Sequence, residues 1–282
     1  MSCSRMRTSG LSVLSFAGVV SAAFAPSAVL FAAVVGKHPE LIILLVGAAF
    51  LWLCAISLVA AIWAVFVPVR GVLWLVVLYA VLLQEVCRWG TYTLYHRLLQ
   101  GLRAMGLQPA PARGAASATV EAGQLVPAAV ASGLGAGLMQ ALVMYGDVLG
   151  EALRPGTRYS PACAQLSAFA LDALQSLGFQ VLHVLLCMIG WTAAYPRNSR
   201  PLRVVIVLLH YGASAATLLN TSALLPDGEG CTIALSSLLA MVIVAGGITA
   251  HVVTSHLCVA PNKSSIASGS TRRQGQADAD RL

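Results

Sequence analysis

The chain has 282 residues, of which 58% are apolar and 10% are charged. Its mean hydropathy of +0.82 excludes a water-soluble globular domain. The formal net charge of +7 does not indicate nucleic-acid binding, because the basic residues are scattered among loops that flank apolar segments and form no single basic face.

Seven apolar segments are long enough to cross a bilayer as helices, at roughly 20 residues per crossing. They are predicted at 12–36, 41–67, 71–96, 125–149, 165–192, 203–225 and 231–256. The first, which Pro26 interrupts, and the sixth, which holds several polar residues, are the weakest of these predictions. The first segment is longer than a signal-peptide core and is interpreted as a retained signal-anchor.

The segments between the spans are too short to form a domain of their own. Residues 98–122 are rich in Gly, Ala, Pro and Arg and are predicted to form a flexible cytosolic loop. The outer loop 153–162 contains Pro and Gly residues suited to turns. We therefore predict an all-α, polytopic membrane protein, with a seven-helix transmembrane bundle over 1–257 and a disordered cytosolic tail over 258–282.

The distribution of basic residues predicts the orientation, because cytosolic loops carry an excess of Lys and Arg. With the N-terminus lumenal or extracellular and the C-terminus cytosolic, the cytosolic side holds Lys37, Arg97, Arg103, Arg113, Arg197, Arg200, Arg203, Lys263, Arg272, Arg273 and Arg281. The outer side holds Arg5, Arg7, Arg70, Arg154 and Arg158. This excess favours a lumenal N-terminus, although Arg5 and Arg7 before the first span argue against it.

The seven cysteines form no paired CxxC, so neither a metal site nor a redox motif is predicted. Three lie inside predicted spans and are interpreted as small apolar side chains: Cys54, Cys87 and Cys187. Cys163 and Cys231 lie on the predicted outer side, near the ends of the fifth and seventh spans. A disulfide between them is one option in an oxidising lumen. No cofactor is predicted.

Small residues recur every four positions along the fourth span, at Ala129, Gly133, Gly137 and Ala141. Four residues are slightly more than one helical turn, so these positions form one smooth stripe that a neighbouring backbone can approach closely. We interpret the stripe as a helix-packing or assembly surface. The sequence leaves open whether the partner helix belongs to this chain or to another.

The third span carries Gln84, Glu85 and Arg88 at a depth where ionisable groups are costly. Glu85 and Arg88 are three residues apart, so they share a helix face and can pair. Three interpretations remain open: a structural ion pair, a proton-handling carboxylate, or an arginine that snorkels to the cytosolic end.

His183 and His210 lie inside the fifth and sixth spans, which are adjacent and antiparallel, so the two imidazoles are predicted to face one another. They could carry a proton or join a metal site, but two ligands do not complete a zinc site. A polar clasp that fixes helix packing is the favoured interpretation. His251 and His256 are assigned no role.

With these residues described, the chain resembles the anterior-pharynx-defective (APH) family across nearly all of its membrane region. AFAPSAVLFAAVVG and ELIILLVGAAFLWL resemble the first two family spans, including Phe24 and Pro26. LLQEVCR resembles the signature of the third span. ASGLGAGLMQ resembles the glycine motif of the fourth, with Ala141 replacing its third glycine. His183 and His210, followed by LLN, resemble the two intramembrane histidines.

This resemblance implies a non-catalytic scaffold subunit of gamma-secretase in which the histidines support assembly. The expected partners are presenilin, which is the aspartyl protease, together with nicastrin, the presenilin enhancer and membrane lipid. The expected substrates of the complex are type I membrane proteins such as Notch-like receptors. The implied location is the endoplasmic reticulum, the Golgi and the plasma or endosomal membranes.

Three other classes are less favoured. A glutamate-dependent intramembrane protease of the CAAX-processing type is the main alternative, but Gln84 stands at its first acidic position and Arg88 follows Glu85 by three residues instead of four. A rhomboid protease needs Gly after its serine, near the oxyanion site, where this chain has Ala215. A seven-helix receptor is suggested only by the number of spans.

Overall fold

The computed structural model describes residues 3–66, 71–107, 115–152, 159–160, 163–220 and 229–258. The helices in these ranges are α1 Cys3–Leu30, α2 Pro39–Val65, α3 Leu73–Ala104, α4 Ala115–Ala152, α5 Ala168–Ile189, α6 Arg200–Ala216 and α7 Gly230–Cys258. Seven helices of the described chain are long and apolar enough to cross a membrane. The predicted class of polytopic α-helical membrane protein is therefore confirmed.

The helix ends differ from the predicted ones in several places. Helix α1 continues through Pro26 and ends in a π-helical turn at Phe31–Val35, so the proline does not divide the first span. Helix α6 ends at Ala216 and is followed by a 3-10 turn at Thr217–Asn220. The predicted continuation to 225 and most of the predicted tail, 259–282, lie outside the described residues.

The prediction of a flexible loop over 98–122 was wrong at both of its ends. Helix α3 continues to Ala104, and α4 already begins at Ala115. Leu, Gln and Arg residues favour helix in the first of these stretches and Ala residues in the second. The prediction gave too much weight to the Gly and Pro residues between them. Residues 108–114 lie outside the described part of the chain.

Helices α4 and α5 form the centre of the bundle. In their apolar windows 61% and 72% of the residues are buried, against 17–22% in the other five spans. Helix α2 packs against α4, helices α1 and α7 pack against α5, and α3 contacts α2 and α6. The outer helices therefore leave most of their apolar surface free for lipid or for partner helices.

Glycines of α4 allow its close contacts with two neighbouring helices. A Cβ atom at Gly133 would lie 2.5 Å from Cα of Val184, and one at Gly137 would lie 2.8 Å from Cα of Gln180, so both face α5. The pairs 133–184 and 137–180 run in opposite directions along the two helices, which are therefore antiparallel. A Cβ at Gly135 would clash with the backbone carbonyl of Leu45 in α2.

The small-residue stripe consequently has its partner within the same chain. Ala129 and Ala141, which extend the stripe beyond the two glycines, are 0% and 1% exposed. This surface is occupied by the bundle itself, so it is not available to a helix of another subunit.

A buried amide joins the first helix to the centre of the bundle. Ser27 of α1 donates a hydrogen bond of 2.5 Å to Oε1 of Gln180 in α5. The amide nitrogen of Gln180 donates to the carbonyl oxygens of Ala23, at 2.9 Å, and Ser176, at 3.1 Å. Both ends of the amide are thus satisfied, as a polar group inside a membrane protein requires.

A small β-ribbon and a disulfide lie at the bundle end where α5 and α7 begin. Strand β1 (Tyr159–Ser160) pairs antiparallel with β2 (Cys163–Ser167), where turns alone were predicted. Cys163 and Cys231 form a disulfide with a Cα–Cα distance of 5.5 Å. The ribbon is thereby linked covalently to the first turn of α7.

Removal of this disulfide is expected to lower the free energy of unfolding by about 2–4 kcal/mol, because the bond closes a long loop. Thermal unfolding in detergent of the Cys163→Ser, Cys231→Ser double variant would measure the loss. Reductant should lower the Tm of the unmodified chain to that of the double variant, whereas Cys54→Ser, at an exposed free cysteine, should not change it. Indifference of the unmodified chain to reductant would contradict a stabilising disulfide.

Candidate functional site

Four ionisable side chains from three helices meet inside the bundle. We define the polar cluster as Glu85 and Arg88 of α3, His183 of α5 and His210 of α6. Their exposed fractions are 9%, 2%, 0% and 1%, so all four are buried. The predicted pairing of Glu85 with Arg88 and the predicted proximity of the two histidines are parts of this single arrangement.

Hydrogen bonds connect the polar cluster from one end to the other. Arg88 donates from Nη1 to Oε1 of Glu85. The same carboxylate oxygen lies 2.6 Å from Nδ1 of His210. Nη2 of Arg88 lies 2.9 Å from Nδ1 of His183. Because a guanidinium can only donate, His183 accepts at Nδ1 and carries its ring proton on Nε2.

Trp52 of α2 packs against both imidazoles. Its ring centroid lies 4.6 Å from that of His183, edge to face, and 6.3 Å from that of His210, nearly parallel. The two imidazole centroids are 5.0 Å apart and perpendicular. The guanidinium carbon of Arg88 lies 5.8 Å from the indole centroid, within cation–π range. Trp52 thus connects α2 to the polar cluster.

The glycine contacts of α4 determine where His183 lies. A Cβ at Gly133 would lie 2.9 Å from the carbonyl oxygen of His183, so this part of α5 rests directly on the α4 backbone. Trp52, which packs against the same imidazole, donates from Nε1 to Oε1 of Gln140 in α4, at 3.1 Å. Helix α4 contributes no ionisable group to the polar cluster, but it supports both His183 and Trp52.

The buried charges of the polar cluster are paired within the bundle. An isolated charge in a low-dielectric interior costs several kcal/mol, and pairing offsets that cost only when the hydrogen bonds are also made. Oε1 of Glu85 interacts with both Arg88 and His210. Within the described chain, two buried nitrogens of the polar cluster lack a hydrogen-bond partner: Nε of Arg88 and Nε2 of His183.

A comparison with known proteins shows which family the chain belongs to. The sequence profile described as Aph-1 protein matches residues 14–256. The chain belongs to the Aph-1 family. The polar cluster, Trp52 and the glycines of α4 all lie within the part of the chain that matches Aph-1.

Three named relatives are similar to the chain over most of its length. The gamma-secretase subunit Aph-1 of Drosophila melanogaster is 30% identical over 209 residues, covering 74% of this chain and 82% of the relative. The gamma-secretase subunit APH1-like of Arabidopsis thaliana is 26% identical over 220 residues, covering 77% and 83%. The gamma-secretase subunit Aph-1b of Danio rerio is 28% identical over 219 residues, covering 74% and 80%.

The structure also places Arg88 and Gln84 of this Aph-1 chain. Arg88 does not snorkel, because it is buried and bonded inside the bundle. Gln84 is buried and lines a cavity of about 330 Å³ between α2, α3, α4, α5 and α6, together with Gln140 and Gln175. Among the described residues, no three His, Cys, Asp or Glu side chains are placed to hold a metal ion.

Sequence reasoning missed the uncharged groups that support the Aph-1 polar cluster. Trp52, Gln140 and Gln180 all lie in predicted spans, and each makes a hydrogen bond between helices. A polar side chain inside an apolar span predicts a hydrogen bond to a neighbouring helix, and this holds for amides as well as for ionisable groups. Gly135 was also missed, because it is not one of the positions that repeat every four residues along the stripe.

Proposed function

We propose that the chain is a non-catalytic scaffold subunit of gamma-secretase. It would stabilise presenilin and assemble it with nicastrin and the presenilin enhancer, so that presenilin cleaves type I membrane proteins such as Notch-like receptors. The observation that carries this proposal is the polar cluster, in which the ionisable groups of three helices are used to hold the bundle together. The printed names of the Drosophila, Arabidopsis and zebrafish relatives support the same assignment.

The surface of the bundle also supports a scaffold. Large apolar side chains are exposed on outer helices, including Phe50 of α2 (62%), Trp74 and Trp89 of α3 (57% and 50%) and Ile243 of α7 (65%). Partner helices in a membrane associate through packing and interhelical hydrogen bonds, so such faces can accept transmembrane segments of other subunits. Because the small-residue stripe is used internally, we assign partner contacts to these outer faces.

The proposed orientation has the N-terminus lumenal and the C-terminus cytosolic. The disulfide lies at the bundle end where α1, α5 and α7 begin, and disulfides persist in an oxidising lumen. This agrees with the excess of Lys and Arg predicted for the opposite side. The proposed compartments are the endoplasmic reticulum, the Golgi and the plasma or endosomal membranes.

The alternative, a glutamate-dependent intramembrane protease, is favoured by one observation. Nδ1 of His210 lies 2.6 Å from Glu85, as a base and its orienting partner would. Against it, the same carboxylate oxygen also accepts from Arg88, and the first acidic position of such an enzyme holds the amide of Gln84. We therefore rank this alternative second.

Purification of the tagged chain in digitonin, followed by mass spectrometry, tests the proposal. Presenilin-like and nicastrin-like proteins should co-purify with the unmodified chain. We expect His210→Ala to reduce their recovery at least fivefold, because it breaks the link between α6 and α3. The control His96→Ala, at an exposed position of α3, should leave recovery unchanged.

Two results would contradict the scaffold assignment. One is a chain that is stable but purifies alone. The other is proteolysis of a membrane reporter by the purified chain that disappears in Glu85→Gln without loss of the folded protein. The second result would favour the protease alternative.

A further inference from the structure

A groove opens between α6 and α7 at the bundle end opposite the disulfide. We define the inner groove by its apolar walls, Leu202 and Val205 of α6 and Ile248 and Val252 of α7. Its volume is about 540 Å³. Its lining also includes Arg197, in the turn between α5 and α6, and His251 of α7, and we call these two basic side chains its rim. Apolar walls and a basic rim are thus combined in one concave surface.

Near the rim, the described residues supply no carboxylate partner for two arginines. Arg197 and Arg200 are exposed, and no carboxylate among the described residues forms an ion pair with either of them. Arg203, one turn into α6, donates to the side-chain oxygen of Asn198. Asn198 has a φ of 52°, a left-handed conformation that asparagine tolerates better than most residues. Within the described ranges, two guanidinium groups are therefore available for an anion.

The inner groove has room for the part of a hydrocarbon chain nearest its headgroup. On α7 the lining continues from His251 to Gly247 towards the membrane centre, which is about 6 Å at 1.5 Å per residue. One leaflet of a bilayer has a hydrocarbon thickness of about 15 Å, so the rest of the chain would lie among other lipids. Nothing lies within 4 Å of the position of a Cβ at Gly247, so the floor of the groove is open there. An acyl chain could extend along it from the rim towards the membrane centre.

We propose that the inner groove binds an anionic phospholipid, with one acyl chain between α6 and α7 and the headgroup phosphate at Arg197 and His251. An arginine provides charge and several donors for phosphate oxygens, and an imidazole provides one N–H. The apolar walls select a lipid over a soluble phosphate, because they have to be covered by hydrocarbon. In the proposed orientation this rim faces the cytosolic leaflet, where anionic lipids are enriched.

Native mass spectrometry of the purified full-length chain, with lipids added in detergent, tests this proposal. The probes are dioleoyl phosphatidic acid, dioleoyl phosphatidylcholine and inorganic phosphate. We expect phosphatidic acid to be retained at least fivefold better than phosphatidylcholine, and excess inorganic phosphate not to displace it. Arg197→Gln should reduce retention about fivefold, since one arginine near a membrane surface contributes about that factor.

Two matched controls distinguish lipid binding in the groove from non-specific attraction by positive charge and from damage to the fold. Gly247→Leu should abolish retention by filling the floor, whereas Gly246→Leu, also in open space but outside the groove lining, should not. Lys37→Gln removes an exposed charge at the same end of the bundle and should leave binding unchanged. Equal retention of both lipids, equal losses in Arg197→Gln and Lys37→Gln, or full retention in Gly247→Leu would overturn the proposal.

Discussion

Replacement of Glu85 by Leu is expected to lower the free energy of unfolding by about 3–5 kcal/mol, the usual cost of removing one partner from a buried charge pair. Arg88 is 2% exposed and would keep its charge without the carboxylate that compensates it. His210 would lose its 2.6 Å contact with Glu85 at the same time. Denaturant titration of the purified chain in mild detergent, followed by fluorescence, would measure the loss.

The double variant Glu85→Leu, Arg88→Leu tests the reason for that loss. Replacement of a whole buried pair by apolar side chains is often neutral or stabilising, so most of the stability should return. If the double variant recovers stability but still fails to recover partners, the polar cluster has a role in assembly beyond folding. A single Glu85→Leu variant as stable as the unmodified chain would contradict the structural role of the pair.

Replacement of Gly133 by Leu is expected to cost at least about 3 kcal/mol, at the upper end of overpacking effects, and to remove most of the folded protein. The new Cβ would lie 2.5 Å from Cα of Val184 and 2.9 Å from the carbonyl oxygen of His183. Both are backbone atoms, so α5 as a whole has to move. The height of the monodisperse peak in fluorescence-detected size-exclusion chromatography, compared with that of the unmodified chain, would measure the loss of folded protein.

Gly146→Leu provides the matched control on the same helix, because nothing lies within 4 Å of its Cβ position. We expect this variant to keep its Tm within about 1 °C. If Gly133→Leu instead remained folded and lost only its partners, the stripe would be an interface between subunits, contrary to its packing on α5. Equal damage in the two variants would indicate a general effect of leucine in α4.

The spans could be predicted because membrane insertion depends on local composition. Every helix crossing the bilayer needs about 20 apolar residues and satisfies its own backbone hydrogen bonds, and both requirements act within one segment. The loop prediction over 98–122 was wrong at its two ends, where hydropathy does not identify a helix. Helix propensity then determined the ends of α3 and α4, and the Gly and Pro residues between them obscured it.

The ionisable members of the polar cluster could be predicted for a similar local reason. Glu85, Arg88, His183 and His210 each stand out because lipid penalises them whatever their partners are. The i,i+3 spacing of Glu85 and Arg88 identified one contact, since that spacing alone places both on one helix face. The sequence also identified the small-residue stripe, but it contains no information about which helix the stripe contacts.

By itself, then, the sequence determined the membrane class, the seven spans, the family resemblance and the residues that cannot be left facing lipid. The tertiary structure decided which of those residues meet. It linked Arg88 to His183 and Glu85 to His210, placed Trp52 against both imidazoles and packed Gly133 on α5. The contact between Glu85 and His210 alone joins residues 125 positions apart. These contacts depend on how the helices rotate and cross, which the packing of the whole bundle determines and no single segment encodes.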